Sequence, residues 1–152
     1  MNTDRLQSLR QAGIVAVLRA PSPDAALAAV DALVAGGITG LEVTYSTPDA
    51  PAVIAETLRR HPSAYVGAGT VRSAADAEAA VSAGASFLVS PGTTPRVAAA
   101  MVATGVVSMT GALTPSETMT ALEAGVEVVK LFPASSAGPA FLRALRAPFP
   151  EV

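Results

Sequence analysis

Cysteine and tryptophan are absent from this 152-residue chain, and histidine occurs once. The lack of cysteine excludes disulfide bonds, zinc–thiolate sites and thiol nucleophiles. The single histidine, His61, stands before Pro62 at a predicted helix end, where a contact with that helix end accounts for it. Because a metal site built from side chains needs a cluster of histidines or carboxylates, we predict a function without a metal ion or a cofactor.

Charge is also scarce. Charged residues make up 14% of the chain, the formal net charge is −2, and no basic run occurs. Nucleic acid and membrane surfaces are therefore not expected as partners. No apolar run reaches the length of a membrane span, and the first residues lack the apolar core of a signal peptide, so we expect a cytoplasmic protein.

Strand and helix patterns alternate along the whole chain. After a helix over 3–11, strands are predicted over 14–19, 38–44, 64–67, 86–90, 106–109 and 126–132. The predicted helices between and after them cover 25–35, 49–60, 74–83, 95–103, 116–124 and 139–146. The strands are almost wholly apolar, which is typical of a parallel sheet covered on both faces. Two α/β architectures fit, an open doubly wound sheet and a (β/α)8 TIM barrel.

One spacing favours the barrel. Glu42, Val89 and Lys130 each lie five residues after a glycine that ends a helix, and they belong to strands two, four and six. In a (β/α)8 barrel, alternate strands contribute side chains to the same interior layer. We therefore predict that Glu42 and Lys130 point inward at similar height, near the strand ends where barrel active sites lie. Opposite charges inside an apolar barrel are costly unless they are paired or functional.

Lys130 is the only lysine among ten basic residues, and it stands between valines and Leu-Phe-Pro. A lysine at a strand end can simply extend its amine to solvent. A desolvated lysine can instead lose its proton and attack a ketone, which yields a Schiff base that stabilises a neighbouring carbanion. A nearby carboxylate such as Glu42 then moves protons as general acid and base.

Other candidate site residues follow the strands. Arg19 is either a surface arginine or a bidentate partner for a carboxylate, and the sequence leaves both open. Thr70 is either a substrate contact or a helix cap, although Ser73 offers its own cap. Thr44 is a further polar candidate, and Pro91 and Phe132 form either an apolar wall of the site or core. We expect Glu117, Glu123 and Glu127 to be solvated.

A TIM barrel needs eight strands, and this sequence supplies six. Residues 147–152 are interpreted as a loop that leads into strand seven. We therefore expect one domain over 1–152 that comprises the first six βα units of a barrel, in a chain truncated at its C-terminal side.

Several motifs together resemble those of the 2-keto-3-deoxy-6-phosphogluconate (KDPG) aldolase and 4-hydroxy-2-oxoglutarate aldolase family. They are Leu-Glu-Val-Thr at 41–44, Val-Gly-Ala-Gly-Thr-Val at 66–71, Val-Ser-Pro-Gly at 89–92 and Val-Lys-Leu-Phe-Pro-Ala at 129–134. The resemblance implies a class I aldolase on a TIM barrel, in a homotrimer, acting on a small 2-keto acid. It implies that Lys130 forms the Schiff base and Glu42 is the general acid/base. Residues implied to contact the pyruvyl group are Arg19, Thr70, Pro91 and Phe132.

Two departures from the family pattern bear on the substrate. Some members have arginine at the position of Ser46, and the family's phosphate-binding loops follow strands seven and eight. We therefore expect Arg19 to anchor the substrate here, and the 152-residue chain alone to cleave phosphorylated substrate poorly. Three alternatives stay open: a 2-dehydro-3-deoxy-6-phosphogalactonate aldolase, a phosphosugar isomerase or epimerase barrel, and an inactive scaffold.

Overall fold

The computed structural model describes residues 3–149. A first helix precedes six strands, and a helix follows each strand. The strands are β1 (Val15–Leu18), β2 (Gly40–Thr44), β3 (Tyr65–Gly69), β4 (Phe87–Ser90), β5 (Val107–Ala112) and β6 (Val128–Leu131). The helices are α1 (Thr3–Ala12), α2 (Pro23–Ala35), α3 (Ala50–Arg60), α4 (Ala74–Ser82), α5 (Pro95–Ala103), α6 (Pro115–Glu123) and α7 (Pro139–Arg146), and a 3-10 helix spans Ala134–Ser136.

All six strands are parallel and pair in chain order, β1-β2-β3-β4-β5-β6. Each strand thus lies beside its predecessor, and the helix between them packs on the outer face of the sheet. The sheet curls into a half-barrel, which confirms the predicted (β/α)8 type with six units. Neighbouring strands in chain order are incompatible with the open doubly wound alternative, whose strand order reverses.

The outer core lies between the sheet and its helices. Large side chains on the outer face of the strands, among them Leu41, Val43, Val66 and Leu88, are almost fully buried there. Burying an aliphatic side chain of this size contributes about 2 kcal/mol. The apolar faces of α2, α3 and α5 supply the other half of this core through Val30, Val53, Ile54 and Met101.

The inner face carries a second cluster. Phe87, Val89 and Val107 are buried on the concave side, and Leu6 and Leu9 of α1 pack against them. The ring of Phe87 stacks on Tyr65 with centroids 5.1 Å apart. The first helix therefore covers the N-terminal end of the half-barrel, and the opposite, C-terminal end is left for polar side chains.

Short sequence signals set the limits of the helices. Ser22, Ser73, Thr94 and Thr114 each accept a hydrogen bond from the first turn of the helix that follows. At the other end, Gly37, Gly84, Gly105 and Gly125 have φ between 78° and 98°, a conformation that glycine adopts without a Cβ penalty. The predicted glycine junctions are thereby confirmed.

The differences from prediction are at element ends. β5 runs on to Ala112, three residues past the predicted end, and β6 begins at Val128 rather than 126. The 3-10 helix was not predicted, since its sequence, Ala-Ser-Ser, has no helical periodicity. The predicted approach to a seventh strand covers 147–152, of which 150–152 lie outside the described residues. No helix within 3–149 combines the length and apolar character that crossing a membrane requires.

Candidate active site

Glu42 lies on the concave face of β2 with 4% of its surface exposed. Its Oε1 atom has no hydrogen-bond partner among residues 3–149. Burial raises the pKa of this carboxyl group, and the positive charges of Lys130 and Arg19 oppose that rise. A buried carboxyl group with an unpartnered oxygen costs free energy, and such groups are frequent at functional sites.

Gly69 makes the space that Glu42 occupies. A Cβ atom at position 69 would lie 1.9 Å from Oε1 of Glu42 and 2.6 Å from its Cδ. The side chain of Glu42 therefore leans across the backbone of β3. A glycine at this position is required by the close approach of the carboxylate, not by its backbone conformation, because its φ is not positive.

Lys130 lies on β6 and is partly buried. Its Nζ is 5.1 Å from the centroid of the Phe132 ring, a distance typical of a cation–π contact. Its register partner on β5 is Gly111. A Cβ at Gly111 would meet the carbonyl oxygen of Pro91 at 2.1 Å, so the loop after β4 folds over this glycine.

The tilt of the strands brings Glu42 and Lys130 to one level. The strand register leads from Glu42 through Gly67, Phe87 and Val107 to position 126, four residues before Lys130. A barrel with a shear of about 8 over eight strands offsets the register by about four residues over four strands. The two side chains therefore belong to the same interior layer, as the glycine spacing predicted, and each lies within electrostatic range of the other.

Arg19 follows β1 and is held by two hydroxyl groups. Its Nη1 donates to Ser46 Oγ at 2.9 Å and to Thr70 Oγ1 at 3.4 Å. Ser46 Oγ lies 2.7 Å from Thr44 Oγ1, and Thr44 in turn donates to the carbonyl oxygen of Leu18 at 2.7 Å. Thr44 is fully buried, and its one proton is committed to Leu18, so a substrate contact through Thr44 stays a prediction.

Thr70 has a φ of 59°, in the left-handed region. This conformation is unusual for a β-branched residue and costs on the order of 1–3 kcal/mol, which the surrounding structure must supply. Ser73 caps α4 by accepting from the backbone N–H of Asp76, so Thr70 is not the cap of that helix. The side chain of Thr70 is instead placed beside Arg19.

Pro91 and Phe132 lie on loops at the same end of the sheet. The Pro91 loop is tied down by Ser90, whose hydroxyl donates to the carbonyl of Gly92, and by Thr93, which donates to the carbonyl of Gly111. Phe132 is 39% exposed, and its backbone N–H donates to Ala112. Both residues therefore border the space above Lys130.

Comparison with known proteins identifies the family. A family model described as KDPG and KHG aldolase matches residues 6–152. The chain belongs to the KDPG and KHG aldolase family. One curated relative is a 2-dehydro-3-deoxy-phosphogluconate aldolase of Pseudomonas aeruginosa, which is 38% identical over 99% of this chain and 69% of the relative. Another is a probable 2-dehydro-3-deoxy-6-phosphogalactonate aldolase of Rhizobium meliloti, which is 36% identical over 90% of this chain and 65% of the relative. The chain thus spans about two thirds of the length of these relatives.

Solved structures of KDPG aldolases have the same fold. The Zymomonas mobilis enzyme with 3-phosphoglycerate superimposes with a TM-score of 0.89 at 35% identity, over 98% of this chain and 71% of that one. The Legionella pneumophila enzyme, with pyruvate captured as a covalent carbinolamine, has a TM-score of 0.80 at 36% identity, over 91% of this chain and 66% of that one.

Sequence reasoning missed the roles of Gly69 and Gly111 in this KDPG/KHG aldolase family member, and it treated Ser46 only as a missing arginine, without its hydrogen bond to Arg19. Gly69 and Gly111 matter through what approaches them, and no local pattern shows that. Two of the carboxylates expected in solvent are partly exposed and also accept hydrogen bonds from the backbone. Glu127 accepts from the backbone N–H of Ser108, and Glu117 accepts from that of Leu113. Each satisfies a backbone donor next to it.

Proposed function

We propose that the protein is a class I aldolase in which Lys130 is the Schiff-base nucleophile and Glu42 the general acid/base. One observation carries the proposal: a lysine and a buried, unpartnered carboxylate share one interior layer at the C-terminal end of a parallel half-barrel. This is the end of the strands at which barrel enzymes place their active sites. Membership of an aldolase family supports the same reaction.

In the proposed reaction, Nζ of Lys130 attacks the C2 ketone of the substrate, and the carbinolamine loses water to form an iminium. The carboxylate of Glu42 takes the proton of the C4 hydroxyl. The C3–C4 bond then breaks, its electron pair enters the iminium to form an enamine, and an aldehyde leaves. Glu42 returns the proton to C3, and water releases pyruvate from Lys130.

The surrounding residues fit a 2-keto acid. The guanidinium group of Arg19 supplies positive charge and paired N–H donors for the substrate carboxylate. Thr70 lies beside Arg19, and Pro91 and Phe132 border the space over the iminium. In this proposal Arg19 anchors the carboxylate, Lys130 attacks the ketone, and Glu42 is the base for the hydroxyl group.

The proposed substrate is KDPG, which yields pyruvate and glyceraldehyde 3-phosphate, with 4-hydroxy-2-oxoglutarate, which yields pyruvate and glyoxylate, as a second substrate. The galactonate epimer is the alternative, since a relative named for it is 36% identical to this chain. Measuring kcat/KM for the two epimers decides between them. The homotrimer and the cytoplasmic location expected from the sequence stay predictions, and light scattering of the purified protein tests the first.

Borohydride reduction in the presence of pyruvate tests the proposal. The expected result is a pyruvyl adduct on the single lysine, which peptide mapping by mass spectrometry assigns without ambiguity. A Lys130→Arg variant that folds normally should form no adduct, and Glu42→Gln should still form one. An isomerase, an epimerase or an inactive scaffold predicts no adduct on the folded wild-type chain, and that result would overturn the aldolase proposal.

A further inference from the structure

The hydroxyl group of Ser46 lies between Arg19 and the body of the sheet. It is bonded on one side to Nη1 of Arg19 at 2.9 Å and on the other to Thr44 Oγ1 at 2.7 Å. Thr44 donates its only hydroxyl proton to the carbonyl of Leu18, so it can only accept from Ser46. Ser46 therefore donates to Thr44 and accepts from Arg19, and the direction of every bond in this relay is determined.

The relay has a rigid end and a mobile end. Thr44 is fully buried, and its partner is a backbone carbonyl at the end of β1. Ser46 and Arg19 are exposed, and an exposed arginine loses side-chain conformational entropy when it is held in one position. The relay from the buried carbonyl thus restricts a side chain that is otherwise free to move in solvent.

The relay also determines which part of Arg19 remains available. In the described part of the chain, both hydrogen bonds of the guanidinium group use Nη1, one to Ser46 and one to Thr70. Within residues 3–149, Nε and Nη2 have no hydrogen-bond partner, and these two atoms form the edge of the guanidinium that binds a carboxylate through two parallel bonds. Because serine is a neutral acceptor, it orients the arginine without cancelling its charge.

We propose that Ser46 is a positioning residue that presents the Nε–Nη2 edge of Arg19 to the carboxylate of the 2-keto acid substrate. The inference rests on the proposed function, since it requires Arg19 to bind that carboxylate. Ser46 touches no reacting atom, and it acts on substrate affinity through Arg19 alone.

The test follows borohydride trapping of Lys130 as the concentration of pyruvate is varied. In Ser46→Ala, the pyruvate concentration for half-maximal trapping should rise about three- to tenfold, the effect of one lost hydrogen bond, while the trapping rate at saturation stays unchanged. Ser46→Thr keeps the hydroxyl group and should restore the wild-type value. Ser63→Ala, an exposed serine between α3 and β3 at the opposite end of the sheet, is the matched control.

A double-mutant cycle shows whether Ser46 acts through Arg19. In an Arg19→Ala background, Ser46→Ala should have no further effect on half-saturation, because the group that it positions is gone. Additive effects of the two substitutions would overturn the inference, and so would a wild-type pyruvate concentration for half-maximal trapping in Ser46→Ala. In both cases, trapping by the wild-type chain would still uphold the aldolase proposal. No trapping by the wild-type chain would instead refute the proposed function.

Discussion

Replacing Gly69 with alanine tests the position of Glu42, the proposed general acid/base, without altering either proposed catalytic side chain. Gly69 lies in β3 with a φ outside the left-handed region, so alanine suits its backbone. The new Cβ would lie 1.9 Å from Oε1, 2.6 Å from Cδ and 2.7 Å from Cγ of Glu42. The three nearest atoms all belong to the side chain of Glu42, so we expect the substitution to act mainly on that side chain.

The distances set the size of the effect. Carbon atoms in ordinary contact lie about 3.5 Å apart, so the carboxylate must move by more than about 1 Å. A displacement of about 1 Å in a reacting group costs on the order of 100-fold in rate. Since the end of Glu42 can rotate away, we expect a cost in stability of about 1 kcal/mol, at the low end for overpacking.

The assay is exchange of the methyl protons of pyruvate in deuterated water, followed by NMR. In the proposed mechanism this exchange needs the Schiff base of Lys130 and the base Glu42, and it does not involve a phosphate group. We expect Gly69→Ala to slow exchange on the order of 100-fold while borohydride trapping of Lys130 stays near wild type. In Gly138→Ala, the new Cβ meets no atom within 4 Å, and exchange should be normal.

A second substitution makes the reasoning refutable. Aspartate is one methylene shorter than glutamate, so Glu42→Asp combined with Gly69→Ala should relieve the overlap and recover part of the lost exchange rate. Exchange at the wild-type rate in Gly69→Ala would show that the carboxylate does not lie against Gly69 during the reaction. A failure of the double variant to exceed Gly69→Ala would show that the loss has another cause.

Two further substitutions test the electrostatics and the packing of the site. Glu42→Gln should reduce exchange about 10²- to 10⁴-fold, as expected for a lost general base. Burial raises the pKa of Glu42, so the folded state binds this proton more tightly than the unfolded state does. The bound proton therefore stabilises the fold when the pH is below the ordinary pKa of 4.5, and this stabilisation is lost as the pH rises through the raised pKa. The unfolding free energy of Glu42→Gln, measured in urea, should therefore rise relative to that of wild type between about pH 4 and about pH 8. The same difference in unfolding free energy at both pH values would contradict the burial of the charge. Gly111→Ala places a Cβ 2.1 Å from the carbonyl oxygen of Pro91, a backbone atom that cannot rotate away. The unfolding free energy should therefore fall by about 2 kcal/mol or more, and borohydride trapping of the neighbouring Lys130 should slow. Stability equal to that of Gly138→Ala would show that the Pro91 loop adapts without cost.

The sequence was sufficient for the fold class, and it also named the two residues at the centre of the proposed site. Apolar strands that alternate with capped helices indicate a parallel α/β fold, because each signal is local: a period of hydrophobicity, a serine or threonine cap, a glycine at a helix end. The common spacing of Glu42 and Lys130 from the preceding glycine then predicts one interior layer, because parallel strands of a barrel repeat the same geometry. The lone lysine in an apolar strand is visible without any structure.

Only the tertiary structure decided how the site is supported. Gly69 and Gly111 look like any strand glycine until Glu42 and the Pro91 carbonyl are seen to occupy the places of their missing side chains. In the sequence, Ser46 only marks a position at which some family members have arginine. The structure shows its hydroxyl group between Arg19 and Thr44. These roles depend on atoms from strands and loops that are far apart in the chain, and close approach between distant segments leaves no periodic trace in the sequence. Local chemistry thus determined which residues can react, and packing between the strands decided where those residues are held.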